Sequence, residues 1–431
     1  DGVMGAMKDS GVEWIGEIPE EWNSCVPLRF CDRQDSATSQ FDAEQPYLAL
    51  ENVVSWTGEL TNLSEVDEVD STVATYSSND VLFGKLRPYL AKVVRPDCDG
   101  QCSTELLPIQ PVHHDRDYLF WLLINRGLID TIDSMTYGVK MPRTSWSQLG
   151  SLFVPIPPIE EQRVIAMFLD KECRVIDEAM RTLEGQLSVL ECYRASVIHE
   201  AVTRGLDPSV PTKPSGVEWI GEIPEGWRIV PLGYLGGFQN GISKDGGSFG
   251  SGYPFVSYGD VYKNRILPKV VLGLVESNSD EWHRYSVQSG DVFFTRTSET
   301  IEEVGFAATC MQVIENATFA GFLVRFRPKG GDLDSRFGSY YFRSVHLREF
   351  FAKEMVIVTR ASLGQQLLKR VPVLLPPLDE QRLIADYLDA RTSVIDAILD
   401  TKRKQLDILK RRRQSLIYEY VTGKRRVGEE D

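Results

Sequence analysis

Two groups of basic, hydroxyl and aromatic side chains have types and spacings that could do chemistry. In the N-terminal half Lys85, Arg87, Tyr89 and Lys92 are close neighbours, and Lys140 and Arg143 flank a Met-Pro pair further on. In the C-terminal half Tyr258, Tyr262, Lys263 and Arg265 cluster, with Arg296, Arg360 and Ser362 downstream. Guanidinium and ammonium groups reach phosphates or guanine edges, and tyrosines stack on bases. These residue types suit recognition of nucleic acid rather than bond making. Any one of them alone is most simply solvated surface. The argument rests on the groups and on their places near turns.

Motifs for catalysis are missing. The sequence has no GxxxxGK[ST] phosphate loop, no G-x-G-x-x-G after a strand, and no Asn-Pro-Pro-aromatic tetrapeptide of the kind found in amino-methyltransferases. Pro96-Asp97 and Glu105 lack the lysine that would complete a metal-nuclease set. Cys98 and Cys102 with His113 and His114 have the wrong spacing for a zinc site. Five histidines and no serine elbow leave little for nucleophilic catalysis. The expectation is a chain with no catalytic, cofactor or metal site of its own.

The 431 residues, 42% hydrophobic and 25% charged, fit two to four globular domains. There is neither an apolar run of membrane-spanning length nor a signal-peptide pattern, and Met7 could be a native start behind a short leader. Seven irregularly spaced cysteines suit reduced thiols in a cytoplasm. The net charge of −15 argues against bulk attraction to nucleic acid. It is uneven, however: residues 1–155 carry −13, 156–225 carry −6, 226–375 carry +3, 376–426 carry +4 and the last five −3, which sum to −15. An acidic chain can still present basic loops, or bind within a complex whose partners supply positive charge.

The elements that must position these residues are set by an internal repeat. Ser10 to Glu20 (SGVEWIGEIPE) recurs unchanged at Ser215 to Glu225, with Trp22 and Trp227 behind. Pro157-Pro158-Ile159-Glu160-Glu161-Gln162-Arg163 recurs as Pro376-Pro377-Leu378-Asp379-Glu380-Gln381-Arg382. Arg194 to Thr203 matches Arg413 to Thr422. The first pair is offset by 205 residues and the other two by 219, so the second intervening segment is 14 longer. Between the motifs the two segments look almost unrelated.

Behind each Pro-Pro pair runs a heptad pattern. Leu169, Ile176, Leu183 and Leu190 lie on the first seam, and Leu388, Ile395, Leu406 and Leu409 on the second. Gly205 and Gly423 mark the ends of these helices. Lys402, Arg194 and Arg413 interrupt the seams, while Ile165, Phe168, Ile198, Ile398 and Ile417 suggest a second buried face and hence a helical partner. The intervening segments read as mixed and strand-rich. Strands are expected at 81–83, 90–94, 270–274, 291–295 and 321–326, and helices at 119–132 and 339–353.

The double occurrence of W-I-G-E-I-P and P-P-x-x-E-Q-R, with paired helices behind, resembles the specificity subunit of type I restriction-modification systems. The resemblance spans essentially the whole chain. It implies an α+β architecture: two strand-rich target-recognition domains separated by two long antiparallel helices, with pseudo-two-fold symmetry. The divisions expected are an N-terminal conserved segment (1–22), recognition domain 1 (23–155), a central helix (156–205), a linker (206–226), recognition domain 2 (227–374), a C-terminal helix (375–423) and a tail (424–431). In that family each domain reads half of a split DNA site. The helices set the gap and bind two modification subunits, which hold S-adenosylmethionine and methylate adenine. Added restriction subunits translocate and cut DNA with ATP and Mg. The seam leucines and isoleucines are then also candidates for partner docking.

Two other classes fit the pattern less well. A stand-alone DNA-binding regulator or anti-restriction decoy on the same scaffold would need no methyltransferase to bind DNA. A self-contained enzyme would bind S-adenosylmethionine by itself.

Overall fold

The computed structural model describes residues 6–34, 38–61, 72–136, 141–298, 304–354 and 361–428. Lys140 and Arg360 lie outside them. The chain forms two compact units. One takes the residues up to Gly185 together with those from Lys402 onward; the other is Gln186–Thr401. Each unit thus holds one globular segment and parts of both long helices, Ile159–Arg204 and Leu378–Val421.

The two globular segments share one topology. In the first unit a four-stranded sheet runs Asp32–Arg33, Leu106–Pro111, Val81–Gly84, Val93–Val94. In the second, Gly236–Asn240, Leu323–Pro328, Val292–Thr295 and Ala307–Thr309 follow the same order. Beside each lies a second sheet, of four strands in the first unit and three in the second, with one parallel pairing: Tyr47–Leu48 with Gly100–Ser103, and Phe249–Val256 with Thr318–Phe319. Two short helices follow, Arg116–Leu123 and Arg126–Ser134, matched by Ser335–Tyr341 and Val345–Glu354. The expected single helices at 119–132 and 339–353 are therefore each broken in two. At the first break Asn125 leaves helical geometry and its side chain caps Gly127 N–H. The expected strand at 270–274 is also absent: Val270 and Leu272 stand exposed, and only Leu274–Val275 pairs. The neighbouring strand Phe249–Val256 meets only the end of this segment, where Phe255 N–H donates to the Gly273 carbonyl (2.8 Å).

The repeated motifs close each segment in the same way. Behind each tryptophan a strand pairs with the strand ahead of the Pro-Pro pair: Asn23–Pro27 with Phe153–Ile156, and Arg228–Pro231 with Pro372–Leu375. Trp22 Nε1 donates to Glu161 (2.9 Å) and Trp227 Nε1 to Glu380 (3.1 Å). Buried Gln162 donates to the Pro157 carbonyl (2.9 Å) and accepts from Asp115 N–H (2.6 Å). Gln381 does the same with Pro376 (2.9 Å) and Asp334 (2.8 Å). Asp115 and Asp334 are the N-caps of the helices behind them. The Glu-Gln pair thus ties helix start, tryptophan and cap together, and both glutamine amides are paired. Gly205 and Gly423 adopt φ of +78° and +70°, and a side chain there would press on Trp227 and Trp22 respectively.

Within each unit the two helix portions run antiparallel. In the first, Phe168 stacks on Tyr420 and Asp177 meets Arg413. In the second, Arg194 meets Asp396, while Val202 shares a core with Ile384 and Leu388. The arginines that interrupt the seams are therefore reciprocal bridges, each to an aspartate of the opposite helix. Leu169, Ile165 and Ile417 belong to the first core, and Leu388 and Ile198 to the second. The second apolar face expected to take a helical partner is thus consumed largely by the chain's own globular cores, with Ile398 left partly exposed. Among the seam residues, Ile176, Ile395 and Leu406 are also buried, whereas Leu183, Leu190 and Leu409 are only half-buried.

Candidate nucleic-acid interface

The structure gathers part of each sequence cluster at one topologically equivalent place. In the first unit the chain leaves the strand Val81–Gly84 at Lys85. Lys85 N–H donates to the Glu105 carbonyl (2.8 Å), and the Lys85 carbonyl accepts from Thr144 (3.0 Å). Leu86 bridges to Arg143, and Arg87 N–H donates to Pro142 (2.8 Å). Arg87 itself is left-handed, with φ +52°. An arginine held there costs on the order of 1 kcal/mol or more, and such strain concentrates at functional sites. Exposed Arg87, Tyr89, Met141 and Arg143 therefore share one surface, with Arg143 paired to Glu105 at 3.1 Å.

In the second unit the strand Val292–Thr295 leads into Arg296. Its N–H donates to Phe322 (2.9 Å), and its carbonyl accepts from Leu363 (2.7 Å). Thr297 and Ser298 then pair antiparallel with Ser362 and Ala361. Lys85 and Arg296 occupy the same position in the two folds. So do Arg143 and Ser362, which stand at the 219-residue offset. Exposed Phe322 joins this edge; nothing in its local sequence marked it.

Other candidates are turned to different work. Lys92 Nζ donates to the Leu50 carbonyl (2.8 Å), and burial pulls its pKa below the ordinary lysine value. Tyr258 and Tyr262 stack on each other at 5.9 Å, and Tyr262 also meets Phe306. Lys263 stays exposed. Arg265 is an anchor: it bonds Ser339, reaches Asp389 at 3.4 Å and lies 3.7 Å over the Tyr340 ring. Arg95 does the same in the first unit. It pairs with Asp170 at 3.0 Å, and Trp121, the counterpart of Tyr340, donates to that aspartate at 3.0 Å. Arg95 follows the Lys85–Lys92 cluster by three residues, and nothing in its local sequence marked it as an anchor. The possible zinc set is likewise dispersed: His114 bonds Asp32 (2.6 Å) and lies 3.0 Å from the Pro155 carbonyl, while Cys102 is buried and Cys98 exposed.

Comparison with known proteins points to the same family. Residues 224–407 match the family described as the type I restriction modification DNA specificity domain. The chain is similar to the type I restriction-modification specificity subunits. It is 24% identical to the putative type I restriction enzyme MjaX specificity subunit of Methanocaldococcus jannaschii over 96% of both chains. It is also 24% identical to the MjaVIII specificity subunit of that organism, over 72% of this chain and 70% of the relative. A solved structure titled for complex assembly and conformational transition of the type I R-M system has the same fold, with a TM-score of 0.68, 21% identity, and coverage of 94% of this chain and 98% of the other. The matched family is described as a DNA specificity domain, and the relatives are named specificity subunits.

On the long helices several exposed apolar residues recur at the repeat offset of 219: Val164 with Leu383, Val175 with Val394, Val189 with Ile408. Solvent-facing valine, leucine and isoleucine repeated at matched positions make a better docking candidate than the buried seam. No helix among the described residues is long and apolar enough to cross a membrane.

Proposed function

We propose that this specificity subunit reads a bipartite duplex site, each globular segment contacting one half. The observation that carries this reading is the pair of equivalent edges. Two segments with little common sequence place Lys85, Arg87 and Arg143, or Arg296 and the Ser362 strand, at the same corner of one topology. A conserved frame with divergent residues at one corner suits two modules of one kind with different targets. Lys140 and Arg360 remain candidates by sequence alone.

In this reading two modification subunits dock on the repeated exposed positions of the helices. They hold S-adenosylmethionine and methylate adenine in the site. Restriction subunits use ATP and Mg, and the assembly works in the cytoplasm. The test is to replace residues 23–155 with the corresponding segment of another such subunit and to sequence the methylated motif in a host carrying the system. One half-site should change and the other persist. A change in both halves, or in neither, would contradict the modular reading.

A further inference from the structure

A cavity of about 300 Å³ in the second unit is lined by four cationic side chains, Arg194, Lys263, Arg265 and Arg343, and by no carboxylate. Arg343 donates to the carbonyls of Val261, Tyr262, Asn264 and Ala307, all at 3.0 Å or less, and no carboxylate among the described residues pairs with it. Burial, with Arg348 and Arg194 nearby, drags its pKa down to about 10. Arg194 and Arg265 are answered by Asp396 and Asp389, but neither aspartate lines the cavity. Exposed Lys263 stands at its rim with no partner among the described residues.

The scaffold does not demand this charge. At the 219-residue offset Arg343 corresponds to Ile124 and Arg348 to Ile129, both fully buried in the first unit's apolar core. A cavity of about 500 Å³ lies beside Arg413, the counterpart of Arg194, in the first unit. There Glu59, Asp177 and Glu184 balance Arg181, Lys410 and Arg413. The second unit has thus placed arginines where the first places isoleucines, and has left the carboxylates out. Burying charge without a counter-ion is costly, and a bound anion removes that cost. Val345, the first residue of the ten-residue helix Val345–Glu354, also lines the cavity with Ser344 before it, and this end of the helix favours negative charge.

We propose that this cavity is a binding site for a phosphate-class oxyanion, either a backbone phosphodiester of duplex DNA or a free phosphate. Lys263 stands at its mouth, and the three arginines supply the field. The site is independent of which bases the recognition edges read, so failure of either proposal leaves the other standing.

The test uses the full chain and inorganic phosphate at low ionic strength, followed by calorimetric titration. Saturable binding at one site is expected, weakened at least tenfold by Lys263→Gln and further by Lys263→Glu. Because Lys263 is exposed and unpartnered, an unchanged circular dichroism spectrum and melting temperature will show that either variant is folded. Absence of saturation, or equal binding by wild type and both variants, overturns the proposal and leaves Arg343 as a brace for the carbonyls it bonds. Once binding is seen, random-sequence duplex added at the same salt separates the sources. Displacement of phosphate assigns the cavity to the DNA backbone, and retention assigns it to a free ion; both support the site.

Discussion

The two bridges between the long helices join the same residues at the same offset, yet they lie in different surroundings. Arg413 and Asp177 have side chains 6% and 14% exposed, with Arg413 also near the Trp121 ring. Arg194 and Asp396 are 31% and 49% exposed. Burial is strong enough at Asp177 to hold its pKa above the ordinary value even with Arg413 bonded to it at 2.8 Å. The repeat therefore fixes which groups meet, while each unit's own packing fixes what the meeting is worth. A buried charge left alone is severely penalised, and an exposed one is rescued by water.

That difference is breakable. Arg413→Ala should strand a buried carboxylate and destabilise the protein by about 3 kcal/mol or more. Arg194→Ala should cost at most about 1 kcal/mol after solvent screening. Denaturant unfolding of the two variants measures the gap directly. Equal losses would mean that the surroundings of the bridges do not decide their energies.

The clasps at the helix starts predict the opposite outcome. Gln162 and Gln381 have the same bonds and the same burial. Each alanine variant leaves buried donors and acceptors unpaired, so each should lose about 2 kcal/mol. A large inequality between them would show that the frame is less repetitive than its geometry.

The recognition edges sharpen the comparison at the level of function. Arg87→Ala and Arg296→Ala should weaken DNA binding by about 1–3 kcal/mol if they read a base, and each only through its own half-site. A uniform loss across sequences with a shallower salt dependence would instead mark a phosphate contact. Competition binding on a panel of half-site variants decides between the two. An Arg87 effect that appeared in both half-sites would break the one-unit, one-half assignment.

The frame was more legible than the site. The tryptophans, the E-Q-R triplets and the helix-ending glycines are local necessities with local bonds, so identical residues recur wherever the same clasp is made. The recognition edge is assembled from residues far apart in sequence, such as Lys85 with Thr144 and Arg296 with Leu363. Its residue types also vary, because the task there is to differ. Residue type alone could not separate Arg265, folded inward on Tyr340, from Arg296 at the edge.

By itself the sequence determined the repeat, the two long helices and their ends, the strand-rich segments between them and the family they resemble. Those properties follow from periodicity, turn chemistry and motif identity, which are written along the chain. Only the tertiary structure decided that two dissimilar segments share one sheet order. It also decided that each core is completed by the end of the opposite helix, with Ile417 and Tyr420 in one and Ile198 and Val202 in the other. Burial depends on what packs across from a residue, and an amphipathic pattern does not say whether its apolar face will meet a partner or the chain's own core.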